Sequence, residues 1–229
     1  MKLTHAFIKV PVIIIGLLLS CGPLVAAEAE VAADSGVAAE KTSKDIAAPS
    51  QEKTFRISVI GASISAGFGS GTRISQVLDV AIDAPKAISD KSTMSFFMDP
   101  VGKAHRIMPA IYKSKPSLVV GVDFLFWFGY GPGSTESRIR RVQGALRLLD
   151  KLECPVIVGD LPQFFESFML PGEVIPAKSD LDKINKLIHA WAKKKKNVYV
   201  YPLATLVEDI RAGNTILVNG KKSFFQCKN

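Results

Sequence analysis

The sequence contains few histidines and few cysteines. Three of each occur among 229 residues, and His5 lies in the N-terminal leader described below. Three cysteines cannot form a disulfide framework in a chain of this length, and no C-x-x-C or Cys/His cluster predicts a structural zinc site. We therefore expect no metal and no cofactor, and histidine chemistry after the leader is limited to His105 and His189.

Signatures of phosphate-binding loops are also absent. A glycine-rich stretch contains Gly61, Gly67, Gly69 and Gly71, but its spacing fits neither G-x-G-x-x-G nor G-x-x-x-x-G-K-[ST]. The same stretch does not contain the G-x-S-x-G nucleophile elbow. Phosphate or nucleotide binding by this loop remains an alternative function, the least supported of those that the sequence leaves open.

Acidic residues are outnumbered, since 29 Lys and Arg against 21 Asp and Glu give a net charge of +8. Removal of a leader containing Lys2 and Lys9 would leave 27 − 21 = +6. The densest basic run, Lys193–Lys196, closes a predicted helix, where cations suit the carbonyl end. No aromatic residues are interleaved with it, so we interpret it as a solvated helix end and expect no nucleic-acid partner.

The N-terminus has the pattern of an export signal. Two lysines precede the apolar run Val10–Leu19, which is too short to span a bilayer stably. Small residues at Val25-Ala26-Ala27 predict cleavage before Glu28, so that residues 1–27 form a signal peptide. Leu18-Leu19-Ser20-Cys21 alternatively resembles a lipobox, in which residues 1–20 are removed and Cys21 is lipidated and anchors the chain to a membrane. Both alternatives predict an exported protein, either periplasmic or secreted, or a lipoprotein at the cell envelope.

Residues 28–53 differ in composition from the rest of the chain. They are rich in Ala, Glu, Ser and Lys and contain no aromatic residue. Such a segment buries too little apolar surface to offset chain entropy, so it predicts a flexible linker. The folded part is then residues 54–229, one domain by size.

Short apolar runs alternate with segments of helical periodicity in this domain. Four runs predict buried strands: Phe55–Ile60, Leu118–Asp123, Val156–Asp160 and Val198–Tyr201. Stripes beginning at Ile74, Val101, Ile139 and Leu181 predict helices between them, and Leu203–Ala212 predicts a last one. This alternation is typical of a parallel sheet covered on both faces, with its ligand site beyond the carboxyl ends of the strands.

The segment after the first strand carries the clearest chemical signal. It reads Gly61-Ala62-Ser63-Ile64-Ser65-Ala66-Gly67. Gly61 permits a tight bend, and Ser63 follows in a turn of small residues at the carboxyl end of the strand. If a helix begins close behind, its backbone N–H groups would suit an oxyanion.

This segment resembles the first motif block of the SGNH/GDSL hydrolases, G-D-S-x-x-x-G, with Ala62 at the usual Asp position. Supporting segments are residues 116–123, 158–162 and 197–203, and the resemblance extends from residue 55 to about 219. It implies an α/β fold, flavodoxin-like with three α/β/α layers around a parallel sheet. It also implies a serine esterase or acylhydrolase acting on a small ester or acylated substrate.

The resemblance further implies roles for individual residues. Ser63 would be the catalytic nucleophile, and its backbone N–H would contribute to the oxyanion hole. Gly102 is a candidate for the block-two glycine donor, and Gly61 supports the turn. Asp123 occupies the block-three asparagine position, where a carboxylate cannot donate unless it is protonated. The alternative for Ser63 is a small residue that the turn requires.

The sequence departs from the family pattern at the catalytic base. No Asp-x-x-His occurs, and the family pattern leads us to expect a chain that is one element short at its C-terminus. We expect impaired activity, because a serine without a base is a poor nucleophile. We expect His189 to be solvated and His105 to be a packed or surface residue. A non-catalytic binding or envelope-associated module on the same fold is the alternative function.

Two further features have open interpretations. The aromatic string Phe124–Tyr130 follows a core strand and would either line an acyl pocket or pack into the core. Cys154 adjoins a core strand and Cys227 lies near the C-terminus, so we expect unpaired thiols.

Overall fold

A central sheet of five parallel strands organises the computed structural model, which describes residues 54–163, 175–218 and 221–223. The strands lie in the order β2-β1-β3-β4-β5. Their bounds are β1 Phe55–Val59, β2 Lys86–Asp90, β3 Leu118–Gly121, β4 Val156–Gly159 and β5 Val198–Tyr201. This is the flavodoxin-like strand order, and it confirms the expected α/β class with a parallel sheet. The predicted leader, linker and Cys21 lie outside the described residues.

Helices cover both faces of the sheet. Their bounds are α1 Ile74–Ala81, α2 Pro100–Ser114, α3 Phe126–Gly129, α4 Thr135–Leu149, α5 Lys178–Lys193 and α6 Leu203–Arg211. One core joins α2 to α5 with strand residues such as Val119, and the other joins α1 and α6 with Leu118 and Val120. Successive side chains of β3 therefore pack into the two cores alternately, because neighbouring residues of a strand point to opposite faces of the sheet. Among the described residues, no helix is long and apolar enough to cross a membrane.

Five elements of the structure were not anticipated. They are strand β2, a 3₁₀ segment Met94–Met98, the short helix α3 and an antiparallel pair formed by β6 (Ile216–Val218) and β7 (Lys221–Ser223). β2 reads Lys-Ala-Ile-Ser-Asp and pairs only with β1, so an edge strand with one large apolar residue gave no periodic signal. The predicted strands at 55, 118 and 156 also extend one or two residues beyond the paired ones.

Asp90 ends β2 and ties this edge strand to the start of α1. Its carboxylate accepts hydrogen bonds from Arg73 Nε at 2.7 Å, Ser75 Oγ at 2.6 Å and both N and Oγ of Ser92 at 2.8 and 2.6 Å. Desolvation raises the pKa of Asp90, but these hydrogen bonds outweigh it and lower the pKa to about 2. The charged form is therefore the one that the folded state favours.

This network predicts an acid-dependent loss of stability. The folded pKa of Asp90 lies below the unfolded value of about 3.9, so its stabilisation is complete above that value and is lost as pH falls toward 2. Asp90→Asn should lower the free energy of unfolding by about 2 kcal/mol at pH 7, and this difference should shrink below pH 4. Urea unfolding between pH 3 and 7 measures it. Asp79→Asn, an exposed partner of Lys86, is the control and should change stability by less than about 1 kcal/mol; an equal effect of the two variants would contradict the assignment.

Candidate functional site

The candidate site lies at the carboxyl edge of the sheet, where neighbouring strands end. The turn containing Ser63 follows β1, Asp123 comes just after β3, and Asp160 directly follows β4. Because β1, β3 and β4 are adjacent in the sheet, these segments share one edge. In open α/β sheets this edge is where ligands bind.

Ser63 lies in this turn and is half-buried. The turn closes on itself through hydrogen bonds from Ala66 N to the Ala62 carbonyl at 3.0 Å and from Phe68 N to the Ser63 carbonyl at 2.8 Å. Regular helix begins only at Ile74, so the anticipated helix start is not directly behind the serine. Within the described residues, neither the hydroxyl nor the N–H of Ser63 has a hydrogen-bond partner. Both groups are thus free to bind a ligand.

The Asp123 carboxylate holds the Ser63 turn in place through four hydrogen bonds. Its Oδ1 accepts from Ala62 N at 3.0 Å and Ser65 Oγ at 2.5 Å, and its Oδ2 accepts from Ile64 N at 2.8 Å and Ser65 N at 3.2 Å. Complete burial raises the pKa of Asp123, and the four hydrogen bonds oppose that shift. The carboxylate binds the N–H groups on either side of Ser63 and leaves that of Ser63 itself unbonded. Asp123 is therefore an acceptor that shapes the turn.

Gly61 is required by this close approach. Its φ is +153°, and a Cβ there would lie 2.3 Å from Asp123 Oδ1 and 2.5 Å from Ser65 Oγ. Its carbonyl accepts the N–H of Thr93 at 3.1 Å, which joins the Ser63 turn to the segment after β2. Gly61 thus allows two neighbouring segments to meet the turn.

Gly102 has a different environment from the one that the motif comparison implied. It lies in the first turn of α2, and its N–H donates to Oδ1 of Asp99 at 2.8 Å. A side-chain acceptor at this position satisfies a helix N-terminus. The N–H of Gly102 is therefore already bonded and is not free for an oxyanion.

Neither of the two histidines in the described chain forms a hydrogen bond with Ser63. His189, expected to be solvated, is half-exposed with Nε2 3.0 Å from Oδ2 of the buried Asp160, so that expectation was incomplete. The other oxygen of Asp160 accepts from Ala204 N at 2.7 Å, at the start of α6. His105 is exposed on α2 and has no hydrogen bond within the described residues. An Asp directly after β4 was the available sequence signal for the Asp–His pair.

Most of the aromatic string packs into the core. Phe124 and Phe128 cluster with Phe96 at ring distances of 5.5 to 6.1 Å, and the hydroxyl of the buried Tyr130 donates to the Pro162 carbonyl at 2.5 Å. Of the two interpretations left open, the structure supports core packing. Trp127 is the half-buried member of the string. Its ring centroid lies 5.6 Å from that of the exposed Phe97.

Apolar side chains are exposed beside the Ser63 turn. Phe68, in the turn, is 45% exposed, and the 3₁₀ segment after β2 exposes Met94, Phe97 and Met98 by 45 to 72%. We call these four residues the apolar rim. The hydrogen bonds from Phe68 to Ser63 and from Thr93 to Gly61 attach both parts of the rim to the turn.

Other candidate residues contribute nothing to this site. In the described ranges, no group of three His, Cys, Asp or Glu side chains is arranged to hold a metal ion. The Cys154 thiol is free, and burial raises its pKa, whereas Cys227 lies outside the described residues.

The fold is similar to that of solved acylhydrolases. The lipase/acylhydrolase from Enterococcus faecalis is 14% identical with a TM-score of 0.52, over 76% of this chain and 88% of that one. An acylhydrolase from Bacteroides fragilis NCTC 9343 is 13% identical (TM-score 0.45, 67% and 73% covered), and TesA is 14% identical (TM-score 0.35, 61% and 98% covered). No family model and no curated protein matches the sequence. The likeness to the Enterococcus faecalis protein shows a shared flavodoxin-type α/β fold.

Proposed function

We propose that this chain is an exported hydrolase that cleaves ester bonds with Ser63 as its nucleophile. The observation that carries the proposal is the unbonded hydroxyl and N–H of Ser63 in a turn held by Asp123 at the carboxyl edge of the sheet. Ser63 Oγ would attack the ester carbonyl, and the Ser63 N–H would stabilise the oxyanion that forms. The acylhydrolase with the same fold supports this reaction class.

The surroundings of the turn favour an acylated substrate. The apolar rim is attached to the Ser63 turn by backbone hydrogen bonds and offers apolar area to an acyl chain. Export rests on the N-terminal leader, and Cys21 is the residue that would carry a membrane anchor. Activity is expected to be low, because no Asp-x-x-His occurs in the sequence and neither described histidine bonds to Ser63.

Covalent labelling tests the nucleophile. A fluorophosphonate should add once to the protein at Ser63, because the free N–H beside this hydroxyl can stabilise the charge that develops on the phosphonyl oxygen. The addition should be slow and should be accelerated by imidazole, since no described histidine bonds to the hydroxyl. Ser63→Ala should lose the label, and Ser70→Ala, in the same turn, should keep it. Intact mass and peptide mapping measure the modification. A label on another serine, or no label on the folded protein, would contradict the proposal, and the second result would favour a non-catalytic binding module.

A further inference from the structure

A cavity of about 360 Å³ opens between α2 and α4, within the range of about 300–1,000 Å³ typical of small-molecule sites. Its apolar wall is formed by Val101, Phe128, Ala145 and Leu148. Gly144 of α4 also lines the cavity, and a Cβ there would meet only the Arg147 guanidinium, at 3.8 Å. Neither Ser63 nor its turn lines this cavity.

The polar part of the cavity is positively charged. His105, Arg140, Arg141 and Arg147 line it, and none of its lining residues is acidic. Arg141 is already committed, because its guanidinium donates to the carbonyls of Phe128 and Tyr130 at 3.1 Å. It thereby fixes the wall of the cavity.

Arg140 and Arg147 are uncommitted by contrast. Both side chains are exposed, and in the described part of the chain neither guanidinium forms a hydrogen bond or an ion pair. Glu136, one turn before Arg140 on α4, feels its charge but forms no ion pair with it. Two guanidinium groups next to an apolar wall therefore lack a counter-anion from these residues.

We propose that this cavity binds a small amphiphilic carboxylate. Its head would lie between Arg140 and Arg147, since guanidinium groups bind carboxylates with paired hydrogen bonds. Its chain would lie against Val101, Phe128 and Leu148, where burial of apolar surface favours binding. An inorganic anion would leave this wall unused, and a neutral alcohol would leave both cations without a partner. The site does not depend on the reaction proposed for Ser63.

Titration calorimetry of the full chain with octanoate, kept below micelle-forming concentrations, tests the proposal. Octanoate should bind with one-to-one stoichiometry, and 1-octanol and inorganic phosphate should each bind at least about tenfold more weakly. Raising the salt concentration should weaken octanoate binding by screening the exposed arginines.

Variants locate the bound carboxylate. Arg140→Gln combined with Arg147→Gln should weaken octanoate binding by about tenfold or more, whereas Lys113→Gln, on the outer part of α2, should leave it unchanged. Gly144→Leu should abolish binding by filling the cavity, and it should not unfold the protein because leucine is a better helix former than glycine. Ser63→Ala should bind octanoate as the unaltered chain does.

Three results would overturn the proposal: no octanoate binding, equal binding of octanoate and octanol, or binding that survives both the arginine replacements and Gly144→Leu. Loss of octanoate binding in Ser63→Ala would also overturn it, by assigning the ligand to the serine turn. Far-ultraviolet circular dichroism of each variant separates lost binding from lost folding.

Discussion

Gly61→Ala is expected to lower the free energy of unfolding by about 3–5 kcal/mol, whereas Gly69→Ala should cost about 1–2 kcal/mol. Both glycines have a positive φ, +153° and +82°, so both replacements strain the backbone. They differ in their surroundings, because no atom lies within 4 Å of a Cβ at Gly69. At Gly61 the new Cβ would meet the Asp123 carboxylate at 2.3 Å.

Asp123 has little freedom to move away from that contact. It is 2% exposed and accepts four hydrogen bonds from the turn, so displacing it would leave buried N–H groups unpaired. Urea unfolding monitored by circular dichroism measures both variants, and the difference between them isolates the steric part from the conformational part. Equal costs for Gly61→Ala and Gly69→Ala would show that Asp123 does not hold the turn as the structure has it.

Hydrolysis of p-nitrophenyl acetate by the unaltered chain should be slow and dependent on Ser63. A serine enzyme that lacks one triad member accelerates the reaction by only about 10³–10⁴-fold relative to water. This residual acceleration comes from oxyanion stabilisation and substrate binding. The Ser63 N–H can supply part of this, but no described histidine is hydrogen-bonded to the hydroxyl to accept its proton. Ser63→Ala should be slower still, because it keeps the N–H of residue 63 but has no hydroxyl that can attack the ester.

Added imidazole gives a stronger test of the missing base. It should raise the rate of the unaltered chain more than that of Ser63→Ala, because only the former has a hydroxyl to deprotonate. The rate measured with Ser63→Ala includes the direct reaction of imidazole with the ester and is subtracted as the blank. Rapid hydrolysis without imidazole would contradict the expectation, and its loss in His105→Ala or His189→Ala would then identify the base.

Local sequence patterns were sufficient for much of the fold. The helical stripes from Ile74, Val101, Ile139 and Leu181 correspond to α1, α2, α4 and α5, because helical amphipathicity is encoded by residues three and four apart. The position of Ser63 after an apolar strand is similarly local. The sequence did not predict β2, because an edge strand has few buried positions and therefore little apolar periodicity. Its strand conformation depends on the hydrogen bonds that it forms with β1.

Tertiary structure alone decided the chemistry around these elements. Asp123 reaches the Ser63 turn across about 60 residues of chain, and Asp160 reaches His189 across 29. No repeating pattern in the sequence predicts either contact, because each depends on which strands are neighbours in the sheet and on which helix covers them. The sequence by itself determined that a serine stands in a tight turn after the first strand. The fold decided which carboxylate shapes that turn and left its N–H unbonded, since only packing brings groups so far apart in sequence within hydrogen-bonding distance.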